Sequence, residues 1–212
     1  FIHVEGVPAK EIRKERINFA EHTAVIFTSK NAVDHFFRVC EEMRFEVSAE
    51  MKYFCISEAI ALYLQKYIQY RKRKIFFGKQ TAKDLEEVLK KHSKEKFLFP
   101  CSDVANEETQ KWLQENGYNF TPAVLFKTVI TDITDLKDVF YDVIVFFSPS
   151  SVQSLYENFP DFVQNNTRIA AFGASTQQAL LDKGLILDIP APTPVAPSMT
   201  MAVEQYIKLV NK

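Results

Sequence analysis

With 212 residues, 47% hydrophobic and 25% charged, the chain has an ordinary globular composition and room for one large domain or two small ones. A net charge of -1 excludes a global electrostatic pull toward nucleic acid or an anionic membrane. Three widely spaced cysteines, Cys40, Cys55 and Cys101, argue against a disulfide framework; Cys55 and Cys101 stand in or beside apolar runs, as buried thiols of a reducing cytosol do.

Phe1–Val4 reads as a strand and Pro8–Asn18 as a charged helix. Ala24–Phe27 is a strand, followed by a helix over Asn31–Met43 with Val33, Phe36, Phe37 and Cys40 on one face. Tyr53–Ile56 precedes a helix over Ser57–Lys66, and Lys74–Gly78 precedes one over Thr81–Lys91 with Thr81 as N-cap. Phe97–Pro100 leads to a helix over Asn106–Asn116 with Gly117 at its end, and Ala123–Thr131 is an unusually long β-run. Then come Val143–Phe147, a helix, Arg168–Phe172, a second helix and the short Leu185–Ile189. After the proline-rich loop Thr193–Ser198 begins, a closing helix covers Ala196–Val210. No apolar run approaches the roughly 18 residues of a membrane span, and no signal peptide is visible. The chain opens at Phe1, inside a strand-like run, so a leading segment is expected ahead of it.

Strand–helix alternation with nearly continuous apolar strands predicts parallel sheets covered by helices. About five strand–helix steps precede Ala123–Thr131 and about three follow it, which predicts two doubly wound domains joined through that run.

Two stretches share a layout. In VIFTSKNAVDHFF and VFFSPSSVQSL, laying Ser29 on Ser148 puts Phe27 on Phe146 and Val33 on Val152. Doubly wound sheets bind ligands beyond the carboxyl ends of their strands, where Ser29, Ser57, Ser102, Ser148 and the Gly173–Thr176 turn are all expected. Small hydroxyl residues suit helix N-caps, and the remaining N–H groups favour an anion. Several such turns converging on one polyanion would bind well; plain capping is the competing explanation. Neither G-x-x-x-x-G-K-[ST] nor G-x-G-x-x-G occurs, and only five glycines are present, so a nucleotide diphosphate is not expected. His3, His22, His35 and His92 lack metal-ligand spacing, so no metal is expected. The basic run Tyr70–Lys74 reads as a solvated edge, and Trp112 and the phenylalanines as core.

At these turns the sequence resembles uroporphyrinogen-III synthases. The matching segments are FTSKNAV (Phe27–Val33), FPCSD (Phe99–Asp103), FFSPSSV (Phe146–Val152), IAAFGASTQQALLDKGL (Ile169–Leu185) and APTPVAPSM (Ala191–Met199), in the family's order and spacing. The resemblance implies an α/β fold of two flavodoxin-like domains joined by a two-stranded connector: residues 5–123, residues 129–212, and connector strands 1–4 and 124–128. It implies that the second domain's leading strand–helix–strand unit is missing. It implies a cyclising lyase of haem biosynthesis. Hydroxymethylbilane is closed to uroporphyrinogen III with inversion of ring D and loss of water, without cofactor, by a cytoplasmic monomer. Substrate contacts are implied at Thr28, Ser29, Lys30, Asn31, Ser57, Ser102, Ser148, Pro149, Ser150, Gly173, Ala174, Ser175 and Thr176. The catalytic residue is unassigned. Phe126 stands where many members carry a tyrosine, and Ala174–Thr176 replaces a commoner Pro-Thr-Thr. Two other functions stay open: a non-catalytic tetrapyrrole or polyanion-binding relative, and a two-lobed receptor for a small anion.

Overall fold

In the computed structural model, which describes residues 1–103 and 107–211, apolar strands stop at small polar residues and helices start there. The chain divides into two compact units, Val4–Thr128 and Phe1–His3 with Val129–Lys212.

The larger unit is built on a six-stranded sheet in the order β1-β6-β5-β2-β3-β4. Its elements are β1 (Ile2–Gly6), α1 (Ala9–Ile12), β2 (Ala24–Phe27), α2 (Lys30–Met43), β3 (Lys52–Cys55), α3 (Glu58–Tyr63), β4 (Ile75–Phe77), α4 (Glu86–Lys91), β5 (Phe97–Ser102), α5 (Glu107–Glu115) and β6 (Phe120–Ile130). The pairs among β2 to β6 are parallel. β1 runs against β6, since Thr131 N donates to Phe1 O and Val7 N to Leu125 O, both at 2.9 Å. From β2 the chain steps outward through β3 to β4, then returns to place β5 on the other side of β2. Strand order therefore reverses between β2 and β5, the place where open α/β sheets leave a crevice.

Side chains of β2 alternate between two cores, as the strand period of two requires. Val25 and Phe27 pack with α2 and α3 residues such as Phe36, Val39 and Ile60. Ala24 and Ile26 face the opposite side, with Leu89 of α4 and Leu113 of α5. All of β2 is buried, which is why its sequence is continuously apolar.

The smaller unit holds β7 (Val143–Phe146), α6 (Pro149–Asn158), β8 (Arg168–Phe172), α7 (Ala174–Asp182), β9 (Ile189–Ala191) and α8 (Met199–Val210). Its parallel sheet has three strands, β7-β8-β9. Phe146, Ile169 and Ala171 pack against α6 and α7 on one face. Ala170, Ile189 and Ala191 pack against α8 on the other. Val143, Ile144 and Val145 remain half-buried.

Several expected elements move. The charged helix over Pro8–Asn18 is only Ala9–Ile12 plus a 3-10 turn, Arg13–Glu15, because Arg16 turns left-handed at φ 55°. The strand expected at Leu185–Ile189 lies at Ile189–Ala191; Leu185 instead closes α7, its N–H bonding Leu180 O at 3.1 Å. The last helix starts at Met199, since Ala196 is held in a turn with Thr193 and Ser198 forms the cap. The expected start of α5 at Asn106 lies outside the described residues. Among the described residues no helix is long and apolar enough to cross a membrane.

Candidate functional site

In the larger unit, Phe27 pairs with Cys55. Two residues further on, Ser29 and Ser57 follow their strands at the same height and precede α2 and α3. β5 pairs with β2 through Ala24–Phe97 and Val25–Leu98, and Ser102 ends β5, where its register against β6 shifts. Parallel strands of similar length thus bring residues distant in sequence to one rim.

The two helix-starting turns differ. Ser29 has extended backbone, φ -157° and ψ 162°, and its Oγ accepts from Ala32 N at 3.0 Å. That leaves the N–H groups of Lys30 and Asn31 at the first turn of a 14-residue helix. Ser57 has nearly the same backbone, φ -145° and ψ 157°, yet its side chain makes no cap bond. Among the described residues its hydroxyl and the first N–H groups of α3 stay open. Thr28 is half-buried at the end of β2, and Lys30 and Asn31 are exposed.

Behind this rim lies a polar cluster that sequence reasoning did not find. Asp34, one turn into α2, accepts from Tyr63 Oη at 2.9 and 3.1 Å, from Lys66 Nζ at 2.9 Å, and from Tyr67 Oη. Burial pushes the Asp34 carboxyl up, but hydrogen bonds from Tyr67, Lys66 and Tyr63 outweigh it and hold it below the usual carboxylate value. Lys30 Nζ stands 5.2 Å from the centroid of the Tyr63 ring. The available sequence signal was spacing: Lys30 with Asp34, and Tyr63 with Lys66 and Tyr67, each share a helical face.

Phe126 is buried, 7% exposed, and stacks on His35 with centroids 5.1 Å apart. Arg38 Nε donates to His35 Nδ1 at 3.1 Å, while Arg38 Nη2 reaches Val7 O and Leu125 O at 2.9 and 3.0 Å. Burial and then Arg38 push the His35 imidazole below its ordinary value, against Asp34 and Glu42. Burial raises the Cys40 and Cys55 thiols to about 12 and Cys101 to about 11, so none offers a thiolate nucleophile near neutral pH. Among the described residues no group of three His, Cys, Asp or Glu is placed to hold a metal ion.

The smaller unit repeats the contrast. Phe146 pairs with Ala171, so Ser148 and Gly173 start α6 and α7 at one height. Ser148 Oγ accepts from Ser151 N at 3.2 Å, and Ser151 Oγ bonds back to Ser148 O at 2.6 Å. Pro149 has no N–H, so the α6 turn presents only the Ser150 N–H. Gly173 has φ 86° and ψ 145°, a region open essentially to glycine alone. It has no side chain to cap α7, and its own N–H is held by Ala191 O at 2.7 Å. The N–H groups of Ala174 and Ser175 are left at the exposed first turn of the helix. Ala174 and Ser175 are exposed, whereas Thr176 is buried, 1% exposed over the whole residue.

A family model described as uroporphyrinogen-III synthase HemD matches residues 1–201. The chain belongs to the uroporphyrinogen-III synthase family. That family's activity is a cyclising lyase step of tetrapyrrole biosynthesis. Among solved structures, the uroporphyrinogen-III synthetase of Helicobacter pylori is similar at 19% identity and TM-score 0.66, over 98% of this chain and 90% of that one. A mutant uroporphyrinogen III synthase of Thermus thermophilus is similar at 16% identity and TM-score 0.57, over 98% and 87%. At these identities the likeness speaks for a synthase-like α/β fold with parallel sheets. No curated protein sequence matches significantly.

Proposed function

We propose that this chain closes hydroxymethylbilane to uroporphyrinogen III, with the turns at its strand ends receiving the substrate's carboxylates. The observation that carries the reading is the family match over residues 1–201, which spans every one of these turns. We infer two doubly wound, flavodoxin-like domains, residues 5–123 and 129–212, with residues 1–4 and 124–128 as connector strands. The sheet-order reversal at β2 supports that topology in the larger unit. The protein is proposed to act as a cytoplasmic monomer without cofactor.

The contacts divide by chemistry. Ser57 and Ser175 offer hydroxyls, and Lys30 offers a charge. Asn31, Ser150 and Ala174 offer backbone N–H groups at helix starts, where the dipole adds about 0.3–1 kcal/mol per exposed anion, and Thr176 is buried in the same turn as Ala174. Ser29, Ser148, Pro149 and Gly173 shape the turns, and Thr28 and Ser102 border them. In the reaction the hydroxymethyl C–O bond breaks and hydroxide leaves as water with one added proton. For the last ring to invert, that ring's bridge-bearing α-carbon bonds the freed methylene carbon, its old bond to the bridge carbon breaks, and the bridge carbon bonds the ring's other α-carbon, which then releases its proton. The substrate's pyrroles delocalise the intermediate cation. The protein's task is to hold the two ends of the bilane together, a positioning effect worth several kcal/mol.

A non-catalytic, polyanion-binding relative is the second reading, favoured by Phe126: it has no acidic proton and is buried against His35. Isomer analysis separates the two. Unassisted hydroxymethylbilane closes without inversion to isomer I. The chain should divert product to isomer III without added metal or nucleotide. Only isomer I, from folded protein that binds the bilane, would leave the second reading standing.

A further inference from the structure

We propose that Tyr63 is a positioning residue that holds the Lys30 ammonium at the rim of the larger unit, making Lys30 a receiver for one carboxylate of the substrate; this rests on the synthase reading above. Lys30 is the first residue of α2, exposed, and a free lysine there would sample many rotamers. Its Nζ instead lies 5.2 Å from the Tyr63 ring centroid, inside the roughly 6 Å range of a cation–π contact. The ring is itself fixed. Tyr63 Oη donates to Asp34 at 2.9 Å, and Asp34 is joined by Lys66 and Tyr67.

Charge accounting explains why Lys30 is the ammonium left for a ligand. Asp34 has its counter-charge in Lys66, at 2.9 Å, and two phenol hydroxyls besides. Lys30 enters no ion pair among the described residues; it faces a neutral ring. The cluster of Lys30, Lys66 and Asp34 therefore carries one net positive charge. An aromatic face holds an ammonium without neutralising it, so a carboxylate arriving at the rim meets a full charge already in place. A carboxylate partner such as aspartate would have cancelled it.

The test uses the full chain and four variants: Lys30→Gln, Tyr63→Leu, Tyr63→Phe and the Lys30→Gln/Tyr63→Leu pair. Steady-state closure of hydroxymethylbilane gives KM and kcat, and uroporphyrin titration gives Kd. Lys30→Gln and Tyr63→Leu should each raise KM and Kd about 2- to 5-fold, the range of an exposed cation–π contact, with kcat changed less than about twofold. The double variant should be no worse than the poorer single one. Tyr63→Phe keeps the ring but loses its Oη bond to Asp34, so its binding should fall between the parent and Tyr63→Leu. Rising salt should erase the difference between parent and Lys30→Gln. Additive losses in the double variant, a Tyr63→Leu protein that binds like the parent, or a Tyr63→Phe protein as poor as Tyr63→Leu would each overturn the proposal. Should Tyr63→Leu melt early, the Tyr63→Phe and Lys30→Gln pair decides: loss in Tyr63→Phe equal to that in Lys30→Gln overturns it. A parent chain that binds uroporphyrin but makes no isomer III fails the synthase reading alone, because the Kd comparison still stands; one that binds no uroporphyrin overturns both.

Discussion

The turns after β2 and β3 both put a serine at the helix start, and those after β7 and β8 start helices at one height, but within each pair one is closed and the other open. Ser29 and Ser148 accept from the backbone three residues on. Ser57 makes no such bond, and Gly173 has no side chain with which to make one. A serine at a strand–helix turn is therefore not by itself a ligand contact. Where its hydroxyl caps the helix, it stabilises the fold and removes an N–H from the rim. Where the cap is missing, the rim keeps its donors. Each unit pairs one closed turn with one open turn on adjacent strands, at matched height.

The strongest way to break this comparison is at Gly173. Gly173→Ala places a side chain at φ 86°, where no neighbour lies within 4 Å of the new Cβ, so the penalty is backbone strain alone. Urea denaturation should show a loss of about 1–3 kcal/mol. A gain of about 0.4–1 kcal/mol, the usual result of Gly→Ala at a compatible position, would mean that the open turn is not conformationally special.

Removing the caps comes next. Ser29→Ala and Ser148→Ala should each destabilise by about 1 kcal/mol, while Ser57→Ala should stay within about 0.5 kcal/mol of the parent. Equal losses at all three positions would erase the distinction between closed and open turns.

Binding should show the reverse ranking. Calorimetric titration with uroporphyrin should find affinity lowered by about 0.5–1.5 kcal/mol in Ser57→Ala and Ser175→Ala. Ser148→Ala, measured where it is fully folded, should bind as the parent does. Weakened binding in Ser148→Ala alone would make the capped hydroxyl the contact.

The gentlest probe is pH, and it acts on the larger unit. Burial lowers the pKa of both His22 and His35 from 6.5. The unfolded chain then binds more protons than the folded one as pH drops through that value, so stability falls with it. Above about pH 7.5 both states are neutral and these groups contribute no slope. His35→Gln, which keeps an acceptor for Arg38, should flatten part of the decline between pH 7 and 5.5 in chemical denaturation. A parent chain that gains stability as pH falls through this range would contradict the assignment.

The sequence by itself determined the alternation of strands and helices, because each strand of a sheet covered on both faces must be apolar at nearly every position, as Ala24–Phe27 and Arg168–Phe172 are after their first residues. It also located the strand-end turns, since each apolar run ends there at a small residue that can start a helix, Ser29, Ser57, Ser148 or Gly173. Weaker boundaries were lost where backbone conformation decides: the left-handed Arg16 stops a charged helix that no periodicity marks, and the Thr193–Ala196 turn delays α8. Tertiary structure alone decided which turns are open. Ser29 and Ser57 share residue type and extended backbone, and only the position of the next helical N–H groups separates a cap from a free hydroxyl. It alone joined Lys30 to Tyr63 and Asp34 to Lys66, and stacked Phe126 on His35. Those pairs are distant in the chain, and a contact between side chains of separate elements depends on register and helix rotation, which no local pattern encodes.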